Sequence, residues 1–157
     1  IAAILKLQSI NSYEGEAAMK LEAAAISCKE TSMDYYPIPV NKNRLDWSVM
    51  LNEILADMQE KEDTAVIARK VFVSLAMLIK NVAARAGVSR IAFSGGVFQN
   101  ALLIDLIILL LQDDYQLYFH RQLSPNDECI GFGQLAYLSL TDENKTILSK
   151  NRILLNH

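Results

Sequence analysis

An α/β fold is predicted for this chain by two features. From Ser89 onward the order runs strand, helix, strand, helix: RIAF, then ALLIDLIILLL, then YQLYF, then a last helix from about Pro125 to Leu140. The strands are continuously apolar, a pattern that suits strands covered by helices on both faces of a sheet. An earlier stretch, YYPIPV-NKN-RLDW, has the character of a β-hairpin, with Pro37 and Pro39 marking an edge strand, and this makes the predicted sheet mixed.

The elements follow in order. IAAILKL looks like the end of a helix, broken by the polar QSINS. EGEAAMKLEAAAIS places Ala17, Leu21, Ala24 and Cys28 on one helical face. After the hairpin a helix is expected from Asp46–Ser48, burying Leu51, Ile54, Leu55 and Met58, with Trp47 as a core anchor. The charged QEKED ends it, and Asp63-Thr64 caps a long helix whose stripe is Ile67, Val71, Leu75, Leu78 and Val82, stopped by Gly87. The expectation is one domain over 1–157, with a core of about 12–140 and a terminal helix or tail over 141–157.

Bulk properties exclude several functions. A net charge of -3 without a Lys/Arg cluster gives no electrostatic case for nucleic acid. The longest apolar run, Ala101 to Leu111, falls short of the roughly 20 residues that span a bilayer and carries Asp105. Cys28 and Cys129 form no CxxC pair, which suits a cytoplasmic protein, and neither a zinc site nor a disulfide framework is indicated. The opening on Ile1 suggests that the 157 residues belong to a longer protein.

Chemistry could reside in three places. Ser94-Gly95-Gly96-Val97 ends a strand and leads into a helix, a corner that can aim backbone N–H groups and a helix dipole at an anion. The alternative is a tight turn needing positive φ. In LSPNDECIGFGQ, Ser124 followed by Pro125 reads as a helix cap. Asp127 then either satisfies a first-turn N–H or presents a carboxylate to a metal. In NSYEGEAA, Asn11 and Glu14 fit a capping box, while Gly15 could instead lie against a ligand. With only His120 and His157, no HxxxH or HExxH site exists, and no full catalytic set assembles.

SYEGEAAMKLEA, IAFSGGVFQNALL and LSPNDECIGFGQ, in this order, resemble the C-terminal part of the HypF family, carbamoyltransferases of [NiFe]-hydrogenase maturation. The resemblance implies the second lobe of an actin-like, sugar-kinase-like ATPase fold. It implies a full-length protein that uses carbamoyl phosphate and ATP, through carbamoyl-adenylate, to carbamoylate the C-terminal cysteine of a HypE acceptor. Ser94, Gly95, Gly96 and Val97 would line the nucleotide, with Asn100 nearby and Glu14 and Gly15 also at the cofactor. Asp127 would complete a divalent-metal site whose histidines lie in the preceding lobe. That lobe, the N-terminal domains and the HypE-like protein would be the partners.

The chain departs from the family pattern. Glu128 and Cys129 replace glycines, Phe72 stands where a histidine is usual, and Ala101 where a basic residue often follows the QN pair. These departures point to altered nucleotide binding and raise one rival, a non-catalytic interaction lobe; a second, a lobe of a sugar- or acetate-kinase-type ATPase, follows because fold does not fix function. On the carbamoyltransferase reading the chain alone should not turn over, and the isolated chain should expose an apolar face that a missing lobe would cover.

Overall fold

The computed structural model describes residues 1–30, 32–42 and 44–140; the expected tail over 141–157 lies outside the described residues. Five α-helices and four short strands are present among them. They fall into two compact units, one of 1–92 with 100–118, the other of 93–99 with 119–140.

In the first unit α1 (Glu16–Ser27), α2 (Trp47–Gln59) and α4 (Ala101–Leu111) pack against the long α3 (Thr64–Ala86). Asp63 caps α3 by accepting from Ala65 N, and Gly87 ends it at φ 63, both as the sequence predicts. α3 keeps only the first half of its expected stripe inside: Ile67 and Val71 are buried, Leu75 and Leu78 are half-buried and Val82 is exposed. Ala68, Phe72, Val73, Ser74 and Ala76 are buried as well, because helices cover α3 on several sides. α4 closes the core with Leu103, Leu106, Ile107 and Leu111. α2 is rotated from its expected face. Met50 and Ile54 are buried while Leu51 and Leu55 are exposed, and Trp47, expected in the core, is 43% exposed. The first residues make a single turn rather than a helix end, with Leu5 N bonded to Ile1 O and Lys6 at φ 59.

The mixed sheet is not formed. β1 (Val40–Asn41) and β2 (Arg44–Leu45) pair antiparallel as the expected hairpin, but as a separate two-stranded sheet. β3 (Arg90–Ala92) and β4 (Gln116–Tyr118) pair parallel, with Arg90 opposite Gln116 and Ala92 opposite Tyr118. Nor do helices cover both faces of this pair. Ile91 and Leu117 are half-buried on one face, whereas Arg90, Ala92, Gln116 and Tyr118 are exposed on the other. The apolar continuity of RIAF and YQLYF has another cause: Phe93 and Phe119 leave the ladder and stack on each other in the second unit, centroids 4.6 Å apart.

That second unit holds a 3₁₀ turn over Gly96–Gln99, another over Asp127–Cys129, and α5 (Ile130–Leu140). α5 is apolar yet exposed, with Leu135 and Tyr137 each at 70%. Among the described residues no helix is long and apolar enough to cross a membrane.

Candidate functional site

The second unit brings the Ser94–Val97 bend and the segment before α5 together. Phe93 is buried, stacked on Phe119 and met edge-on by Phe98 at 5.1 Å, and this aromatic cluster anchors the start of the bend. Gly95 sits at φ 112, a backbone state that side chains disfavour, and nothing lies within 4 Å of where its Cβ would be. Its N–H donates to Pro125 O at 2.6 Å, and its carbonyl accepts from Phe98 N. Gln99 Nε2 donates to Ser124 Oγ at 3.1 Å. A Cβ on Gly96 would be 3.9 Å from Asn126 Cβ. Thus two hydrogen bonds join 94–99 to 124–126 in one polar, open corner with bare backbone on its surface.

Three local expectations change. Ser124 does not cap the helix start: its hydroxyl accepts from Gln99 Nε2, and Asn126 caps the 3₁₀ turn that leads into α5, its Oδ1 accepting from Glu128 N at 3.1 Å. The Asn11–Glu14 capping box gives way to Ser12 and Glu16, whose carboxylate accepts from Ser12 N and Ser12 Oγ. Those two bonds hold the Glu16 carboxyl below its usual range. Gly15 precedes α1 at φ 83, so its lack of a side chain has a conformational reason, and Glu14 is exposed.

The third change concerns the helix dipole. The glycines lead into a four-residue 3₁₀ turn, and α4 begins only at Ala101. Its first amides are already satisfied within the first unit. Asn100 Oδ1 accepts from Leu103 N at 2.7 Å, and Glu22 Oε1 accepts from Leu102 N at 3.1 Å. The negative charge that this helix N-terminus favours is Glu22, supplied by α1. Glu22→Ala should therefore destabilise the first unit by about 1 kcal/mol, read as a lower urea midpoint with unchanged m-value; no change in midpoint would show the contact to be idle.

Ser94, Gly95, Gly96, Val97 and Asp127 lie in the second unit, while Glu14, Gly15 and Asn100 belong to the first. Asp127 and Glu128 are exposed. No group of three or more His, Cys, Asp or Glu among the described residues could hold a metal. Asp127 can supply one carboxylate, and a metal would need its other ligands from elsewhere. The open backbone and hydroxyls at the Gly95–Gly96 bend do fit a polar ligand.

Sequence reasoning missed His120, whose Nε2 lies 3.3 Å from Ser94 Oγ. The parallel register could have found it. Arg90 faces Gln116, Phe93 meets Phe119 and Ser94 meets His120, all at the same offset of 26 residues.

A family model for "Carbamoyltransferase, Kae1-like Domain, second subdomain" matches residues 1–134. Over 140 residues the chain is 34% identical to the carbamoyltransferase HypF of Synechocystis, covering 86% of this chain and 18% of that protein. Among solved structures, full-length HypF in its phosphate- and nucleotide-bound form is similar with a TM-score of 0.74 at 24% identity, over 90% of this chain and 20% of that one. HypF of T. kodakarensis gives a TM-score of 0.68 at 27% identity, over 80% of this chain and 17% of that one. The chain thus spans about a fifth of the length of these relatives.

Proposed function

Since the chain belongs to the family of Kae1-like second subdomains of HypF carbamoyltransferases, we propose that it forms one wall of a nucleotide cleft in a larger carbamoyltransferase. The observation that carries this reading is the meeting of the Ser94–Val97 bend with 124–126 in a corner of bare backbone and hydroxyls. The fold is read as the second lobe of an actin-like ATPase, completed by the lobe that precedes it. The whole protein would take carbamoyl phosphate and ATP and carbamoylate the C-terminal cysteine of a HypE-like acceptor in the cytoplasm.

ATP, when bound, supplies the activation of the carbamoyl group. The residues of this chain bind and orient it. Gly95 and Gly96 leave room for close approach, Ser94 offers its hydroxyl, and Val97 gives an exposed apolar contact. Asn100, Glu14 and Gly15, which the resemblance puts at the cofactor, belong to the first unit and are not needed for this reading. Asp127 would contribute one carboxylate to a divalent metal held mainly by the preceding lobe.

Gly96→Ala tests the reading cleanly. Gly96 has no positive φ and its added Cβ would meet Asn126 at ordinary contact distance, so folding should be unaffected. In a protein carrying this chain behind the preceding lobe, ATP affinity should fall about tenfold, because the methyl takes up surface meant for the ligand. Unchanged affinity would remove the bend from the site. A folded wild-type protein with no detectable binding at millimolar nucleotide would instead favour a non-catalytic interaction lobe.

A further inference from the structure

The contact between His120 and Ser94 has no part in the reading above. It is built by chain pairing: the Phe93–Phe119 stack holds the two segments in the offset of the parallel ladder, which sets residue 94 opposite residue 120. Both side chains remain exposed at the open corner.

A serine hydroxyl has one proton and two lone pairs, and it rotates freely until a partner fixes it. An imidazole Nε2–H directed at Oγ occupies a lone pair and leaves the hydroxyl proton to be donated outward. The Gly95 amide, the donor expected from sequence, is already engaged by Pro125 O. A side-chain donor at Ser94 therefore matters more at this bend than the sequence suggests. The phosphate chain of a nucleotide offers acceptors only.

We propose that His120 is a positioning residue: in its Nε2–H form it orients the Ser94 hydroxyl to donate to a phosphate oxygen of the bound nucleotide. The inference rests on the nucleotide reading and adds a residue and a ligand moiety to it. His120 does not itself touch the ligand in this arrangement.

The test uses a protein carrying this chain behind the preceding lobe, with binding of ATP and of adenosine measured separately. His120→Ala should weaken ATP binding about three- to tenfold, the effect of losing one oriented neutral hydrogen bond, and leave adenosine binding unchanged. His120→Gln, whose Nε2 also donates and has a similar reach, should restore most of the ATP affinity. In a Ser94→Ala background, His120→Ala should cause no further loss, since the two residues act as one unit.

Equal ATP affinity for wild type and His120→Ala overturns the inference, as does an undiminished loss in the Ser94→Ala background. Failure of glutamine to rescue, or an equal loss for adenosine, overturns it too. In those cases wild-type ATP binding persists and the nucleotide reading stands. If the folded wild type binds no ATP, the nucleotide reading falls first and the inference with it. A His120→Ala protein that fails to fold is recognised by its unfolding curve, and the Gln and Ser94 variants still decide.

Discussion

Ile107→Ala should lower the unfolding free energy by about 3 kcal/mol, within the range of large-to-small changes at sealed core sites. Ile107 and Leu111 are both 0% exposed where α4 lies against α3. Truncation removes the transfer free energy of three carbons and leaves a cavity. The fixed Val71, Phe72 and Ala76 core of α3 has limited freedom to fill it. Ile107→Val should cost only about 1 kcal/mol. Urea unfolding gives both values, and an alanine variant within about 0.5 kcal/mol of wild type would mean that the α3–α4 seam collapses without resistance.

Asp57→Ala is expected to cost about 2–3 kcal/mol, through electrostatics rather than packing. Asp57 Oδ2 accepts from Tyr36 Oη and from Lys70 Nζ, each at 2.6 Å. The same ammonium sits 4.5 Å over the Tyr36 ring. Tyr36 N donates to Ser74 Oγ at 2.8 Å, and Ser74 Oγ donates to Lys70 O at 2.6 Å. One carboxylate thus joins the extended segment, α2 and α3. Without it the Tyr36 phenol loses its acceptor and the partly buried Lys70 ammonium loses its ion-pair partner. The loss is kept below that of a fully buried pair because the side chains of Lys70 and Asp57 retain 22% and 20% exposure. Tyr36→Phe, which keeps the packing, should cost about 1 kcal/mol.

The same network sets a pH dependence. Burial opposes ionisation of Asp57, but the hydrogen bonds from Lys70 and Tyr36 prevail and hold its carboxyl below the usual range. Its stabilisation is therefore complete above the unfolded carboxylate value of about 3.9 and disappears as pH falls through the lower folded value. Tyr36 is shifted the other way, upward, by burial and then by the Asp57 hydrogen bond. Its contribution is complete below the unfolded phenol value of about 10 and is lost as pH rises beyond it. Asp57→Ala should flatten the acid limb of a stability–pH curve, and an identical acid limb in wild type and variant would remove Asp57 from that account.

The legible parts of the fold were those encoded by neighbours in sequence. Asp63 and Gly87 bound α3, Asp46 caps α2 by accepting from Ser48 N, and the 3.6-residue pattern marked all the longer helices. Pro37, Pro39 and the NKN turn marked the hairpin. What failed was more distant. Trp47 looked like a core anchor by residue type, yet the face that α3 offers α2 selects Met50 and Ile54.

The amino-acid sequence by itself determined the family, the order of helices and strands, and the bend that carries the candidate site, because motif, periodicity and capping are local properties of the chain. Tertiary structure alone decided who partners whom. Glu22 takes the α4 N-terminus, Pro125 takes the Gly95 amide, Asp57 gathers Tyr36 and Lys70, and His120 reaches Ser94. Each of these is a hydrogen bond between residues at least 13 positions apart, the nearest being Asp57 and Lys70. The free energy of such a bond depends on a distance of a few tenths of an ångström, which packing sets and local sequence does not.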